Sequence, residues 1–176
     1  GSKIESYMFQ PEFRLTNKIV RLLTEIAEGR SVISRARLLP KQEFQLRRQA
    51  LIRMTHSSTA IEGNILNMHE VEALINRQKV DAPNRDVHEV NNYLQALRHI
   101  EQIVKEKKTL NSRVVLKIHK LVTQNTLRKE ASGHYRNGPV YIVRKYTSGR
   151  QEVIYTAAEA SAVPKLMDAL IAWIHE

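Results

Sequence analysis

The sequence predicts a mainly α-helical fold that carries one β-hairpin. Three observations predict it. Apolar residues recur at helical spacing through most of the 176 residues, helix caps and terminators separate those runs, and one late stretch is rich in β-formers around a turn. The first run sets Leu15, Ile19, Leu22, Leu23 and Ile26 on one face, with Gly29 placed to end it. Pro40 punctuates the chain, and Lys41 to about Ile61 forms a second helix through Phe44, Leu51 and Met54. Gly63-Asn64 interrupts that helix, since glycine readily takes the left-handed backbone that closes one. Asn67 followed by Glu70 fits an N-cap and its reciprocal partner, opening a short helix through Val71, Leu74 and Ile75. Beyond Pro83, a longer helix carries Val87, Val90, Leu94, Leu97, Ile100, Ile103 and Val104. Asn111 is placed to cap the next, which should bury Val114, Val115, Ile118, Leu121 and Val122.

The texture changes after Gly133. Val140 to Val143 and Val153 to Tyr155 favour strands, and the segment between them contains Ser148-Gly149, so the pair reads as a hairpin. The final helix carries Val163, Leu166, Met167, Leu170 and Ile174, with Pro164 in a first turn that needs no N–H there. Its apolar face and Trp173, the only tryptophan, lie at the chain end and want a partner. Either the earlier helices cover that face, or the chain stops before its core is finished.

Composition excludes several classes. A 42% hydrophobic and 26% charged chain is not extensively disordered. The absence of cysteine excludes a disulfide scaffold, a thiolate metal site and a cysteine nucleophile. No apolar run approaches the ~18 residues of a membrane helix, and no signal-peptide core is present. The expectation is a cytoplasmic protein with no membrane partner; Gly1-Ser2 reads as a cloning remnant. The formal net charge is +10, unevenly spread: residues 107–150 carry 11 basic side chains and 1 acidic, whereas residues 61–106 carry 5 and 8. Solvated helix faces explain most such runs, and a surface for polyphosphate or an acidic partner is the functional alternative. Charge alone does not choose.

No catalytic motif is self-evident. None of the His-Glu pairs is followed by the second histidine of a helical zinc site, no P-loop or other glycine-rich phosphate loop occurs, and no metal site is expected. One segment stands out, His56-Ser57-Ser58-Thr59-Ala60-Ile61-Glu62-Gly63-Asn64. Ser58 and Glu62 are four apart and share a helical face, and Gly63 lets the chain turn away just beyond the carboxylate. An anion at the negative end of a helix dipole loses a few tenths of a kcal/mol. It makes sense there if an external cation, such as an arginine, receives it.

The run Ser58-x-x-x-Glu62-Gly63 resembles the inhibitory motif (S/T)-x-x-x-E-(G/N) of Fic proteins, in the form placed N-terminal to the catalytic core. Further along, and in the family's order, come Val90-Asn91-Asn92 with Ala96-Leu97, Ile118-His119-x-Leu121, Gly133-His134-Tyr135-Arg136, the 140–155 hairpin, and Val163-Pro164-x-Leu166-Met167-x-x-Leu170-x-x-Trp173. The resemblance covers roughly Ser31 to the end. It implies a Fic-like helical fold with a hairpin flap, incomplete at its C-terminal end. Residues 1–82 would be a helical region bearing the inhibitory helix (about 41–63), and residues 83–176 the N-terminal part of the Fic core.

The activity implied is AMP transfer from ATP to a protein hydroxyl, with ATP and Mg²⁺ used by the complete protein and neither held tightly by these residues. The family's catalytic loop, H-x-F-x-(D/E)-G-N-G-R-x-x-R, does not occur in this sequence, so no catalytic residue carries over. What carries over is regulatory. Glu62 resembles the glutamate that pairs with the last arginine of that loop and obstructs the ATP γ-phosphate, with Ser58 and Gly63 supporting its helix. Tyr141, Ile142, Val143, Val153, Ile154 and Tyr155 correspond to a flap that clamps a target segment by strand addition. Thr156-Ala157-Ala158 stands where many relatives have prolines. The partner would be a protein bearing a Ser, Thr or Tyr hydroxyl, a second copy of the chain included.

Three functions follow in order. The first is the N-terminal part of a self-inhibited adenylyltransferase, inactive by itself. A regulatory, antitoxin-like module that inserts Glu62 into a partner's site is the second. The third, a basic helical nucleic-acid binder, lacks both a DNA-reading motif and the aromatics for base stacking, at 6% of residues.

Overall fold

The computed structural model describes residues 9–176, and Gly1-Ser2 lie outside them. The described residues form six α-helices and one antiparallel hairpin, the mainly helical architecture that the apolar spacing predicts. Helix α1 spans Asn17–Arg35, α2 Pro40–Ile61, α3 Met68–Ile75, α4 Asn84–Lys105 and α5 Ser112–Thr123. Strands β1 (Tyr141–Lys145) and β2 (Gln151–Thr156) follow, then a 3₁₀ turn at Ala160–Ala162 and α6 (Val163–Ile174).

Local chemistry sets most boundaries. The Thr16 side chain accepts from Ile19 N–H at the start of α1, and Asn111 accepts from Val114 N–H at the start of α5. The Asn67–Glu70 capping box forms in both directions. Pro40 and Pro164 occupy first turns, where a missing N–H leaves nothing unsatisfied. The first helix departs from expectation: α1 runs through Gly29 to Arg35. A glycine ends a helix only by leaving helical backbone, and here the next turn is held by Arg35, which donates to the Ser31 carbonyl and hydroxyl.

The core is shared by α2, α3 and α4. Leu66, Val71, Leu74, Val90 and Leu94 are buried together, with Leu51, Ile75, Val80, Ala82 and Val87 packed against them. Val71 and Val90 are fully buried. Helix α2 contributes Ile52, Thr55 and Thr59 to its buried face, all in its second half; Phe44 and Met54 are exposed. Helix α5 lies along α4, yet Val114, Val115, Ile118, Leu121 and Val122 are only half-buried rather than buried, because little besides α4 and α6 covers that face.

Three elements keep large apolar faces open. Among the described residues, helix α1 packs against no other element, leaving Ile19, Leu22, Leu23 and Ile26 exposed. Helix α6 rests on α5 and buries Ile171, while Trp173 stays 40% exposed with its ring edge-on to Phe9, centroids 5.3 Å apart. The hairpin also packs on no helix among the described residues. Among the described residues, no helix is long and apolar enough to cross a membrane.

The junction between α5 and the hairpin depends on one glycine. Gly133 has φ +78°, its N–H donates to His119 Nδ1 at 2.9 Å, and a Cβ there would lie 2.7 Å from Lys120 Cβ. Because that neighbour is fixed to the α5 backbone, left-handed strain and overlap act together. Gly133→Ala is expected to cost about 2–4 kcal/mol, read as a lowered urea midpoint.

Candidate functional site

Helix α2 ends at the segment that the sequence singled out. Gly63 takes φ +88°, and the two bonds of a Schellman motif close the helix: Gly63 N–H donates to the Ala60 carbonyl and Asn64 N–H to that of Thr59. Glu62 is the C-cap residue, with φ −83° and ψ 3°, so its side chain leaves from the negative end of α2. The carboxylate is exposed, and among the described residues it makes no hydrogen bond or ion pair. Ile61 and Ile65 on either side are 84% and 73% exposed. An unpartnered anion set between two bare isoleucines is a surface suited to being covered by something cationic and apolar.

Everything beneath that surface is fixed. Ser58 Oγ and Tyr93 Oη lie 2.9 Å apart, tying the last turn of α2 to the middle of α4. Thr59 Oγ1 donates to the Thr55 carbonyl on the buried side. Asn64, only 7% exposed, makes three bonds: Nδ2 donates to the Asp86 carbonyl and to Glu89 Oε2, both at 3.0 Å, and Oδ1 accepts from Leu66 N–H at 3.1 Å. Arg85 holds Glu89 from its other oxygen at 2.9 Å. Ser58, Glu62 and Gly63 thus meet at one helix end, each in a different role: tether, exposed charge and turn.

Sequence reasoning missed Tyr93, and it missed Asn64 and Glu89 as anchors. Their partners are 22 to 35 positions away, beyond any local pattern. The one signal at hand was a polar residue directly after the helix terminator. Tyr93→Phe is expected to lower stability by about 1 kcal/mol, seen as a small drop in thermal midpoint, because one neutral hydrogen bond is lost.

The hairpin residues expected to form a flap make a second group. Register pairs Tyr141 with Thr156, Ile142 with Tyr155 and Val143 with Val153, so Ile154 is the extra residue of a bulge. All six of Tyr141, Ile142, Val143, Val153, Ile154 and Tyr155 are exposed. The base of the hairpin is clamped by Arg136, which donates to the Gly138 carbonyl at 2.7 Å and to that of Ala158. The tip closes through Gly149 at φ +81°, with Arg150 5.4 Å from the Tyr146 ring centre. A two-stranded sheet leaves both outer edges unpaired, which is where an extended peptide adds a strand. Among the described residues, the hairpin makes no contact with α2, the helix that carries Glu62 at its end.

Among the described residues, no three His, Asp or Glu side chains converge as a metal set.

Two solved structures share the architecture. A Fic family protein from Desulfovibrio desulfuricans G20 superposes with a TM-score of 0.72 at 29% identity, over 96% of this chain and 48% of its own. A Fic domain containing signaling protein from Bacteroides thetaiotaomicron VPI-5482 gives a TM-score of 0.67 at 18% identity, over 88% of this chain and 55% of its own. The chain thus spans about half the length of each. No family model matches the sequence, and no curated protein does.

Proposed function

We propose a function from one premise: this chain has a Fic-like fold. It serves as the N-terminal part of a self-inhibited protein adenylyltransferase, whose whole form moves AMP from ATP to a protein hydroxyl, and Glu62 holds that activity down. The observation that carries this reading is the state of Glu62. A carboxylate at the negative end of a helix, bare of partners and mounted on a tethered turn, is arranged to receive a cation from elsewhere. An arginine of a catalytic loop meets that demand and gains a charge-assisted pair.

Inhibition then follows from competition. While that arginine is paired with Glu62, it cannot hold the nucleotide phosphates in the geometry that reaction needs, and the rate falls. The catalytic loop belongs outside these residues, so residues 1–176 alone should transfer no AMP. The hairpin supports the other half of the reading, because its open edges and exposed apolar residues suit capture of a target segment bearing the acceptor hydroxyl. The test is transfer of labelled AMP by protein that carries the catalytic loop, with Glu62 intact and with Glu62→Gly. A rise in the variant supports the assignment, and an unchanged rate removes it.

A further inference from the structure

On the side of α4 away from Glu62 lies a cleft of about 460 Å³. Its polar lining includes Arg77, His88, Asn91, Gln95, Arg98 and Asn125, and no carboxylate lines it. That is unexpected for its place in the chain, since residues 61–106 carry more acidic than basic side chains. Of the acids nearby, Glu72 pairs with Arg48, Glu89 with Arg85 and Glu106 with Lys108, whereas Glu101 lies with Arg98 along the neighbouring groove and not in this cleft. Arg77 and Arg98, in contrast, make no side-chain hydrogen bond or ion pair among the described residues. Successive helical residues are about 100° apart, so Tyr93, which tethers Ser58, points nearly opposite to Gln95 and His88. The cleft and the Glu62 surface are separate.

Arg77 adds an independent observation. It is the residue just past the α3 C-cap, with φ +60°, and its N–H donates to the Leu74 carbonyl while that of Gln78 donates to Ala73. This is the Schellman position where glycine is favoured, because a Cβ is strained there. An arginine occupies it, and its side chain lines the cleft. Asn125, at φ +61° after α5, reaches the same cleft from the other side. Beneath them the buried Asn92 donates to the Val122 and Gln124 carbonyls, fixing the wall that carries Asn125. Two unpaired guanidinium groups, an imidazole and several amide donors suit a multiply charged oxyanion, and guanidinium forks match phosphate oxygens in particular.

We propose that this cleft binds a small phosphorylated molecule, a ligand distinct from the nucleotide of the transfer reaction. The proposal does not rest on the inhibitory role of Glu62. Calorimetric titration of the 176-residue chain with inorganic pyrophosphate, at fixed ionic strength, tests it. One saturable site is expected, weakened about tenfold or more by Arg98→Gln and likewise by Arg77→Gly. Arg77→Gly separates binding from folding, since glycine accepts that backbone and should leave the thermal midpoint unchanged or raised. No saturable binding would overturn the proposal. So would binding that both variants retain in full, or a single-stranded oligonucleotide that binds wild type and variants alike and displaces the pyrophosphate, which would mark a diffuse basic surface.

Discussion

Glu62→Gly should raise AMP transfer about 10- to 100-fold in protein that carries the catalytic loop, because a charge-assisted pair is worth about 1.5–3 kcal/mol and each 1.4 kcal/mol is tenfold in rate. The fold should barely notice. Glu62 makes no hydrogen bond or ion pair among the described residues, and its φ of −83° at the C-cap position is one that glycine adopts without strain. Removing an anion from the negative end of α2 even returns a few tenths of a kcal/mol. Rate and stability therefore separate: labelled AMP incorporation climbs while the thermal midpoint stays within a few degrees. A variant that lost stability in step with any gain in rate would point instead to general loosening of α2.

Asn64→Ala should have the opposite profile in stability. The variant loses three hydrogen bonds and strands the Leu66 N–H in a buried setting, while Glu89 loses one of its two donors. Unsatisfied buried groups cost about 1–3 kcal/mol each, partly relieved by relaxation, so about 2–4 kcal/mol is expected. For a chain of this size that is about 5–15 °C in thermal midpoint, measurable by calorimetry or circular dichroism. Asn64 also joins the Glu62 turn to the first turns of α4, so its loss should loosen the inhibitory surface and raise the basal rate of the whole protein. An Asn64→Ala protein as stable as wild type would show that the Schellman motif and the Ser58–Tyr93 tether hold the turn unaided.

What the sequence disclosed was local. Gly63, Asn67 with Glu70, Asn111 and the first-turn prolines are features whose physics lies within a few residues, and each marks a boundary in the structure. Gly29 misled because glycine in an exposed helix costs only about 1 kcal/mol, which the following turn absorbs. Arg77 and Lys107 were invisible as terminators because arginine and lysine seldom adopt left-handed backbone. Apolar periodicity marked the inward faces of α5 and α6 but not how much would cover them, since burial depends on a partner that the pattern does not name. At the candidate site, Ser58, Glu62 and Gly63 could be read from one short run. Tyr93, Asp86 and Glu89 could not, because only the crossing of α2 over α4 brings them there.

The claim that the charge of Glu62 is the brake is tested most directly by labelled AMP transfer with Glu62→Gln, in protein carrying the catalytic loop and at saturating ATP. Glutamine keeps the length, the shape and the helix end, and removes only the anion. Glu62→Gln is expected to transfer AMP well above wild type and to approach Glu62→Gly. A glutamine variant as silent as wild type would contradict it.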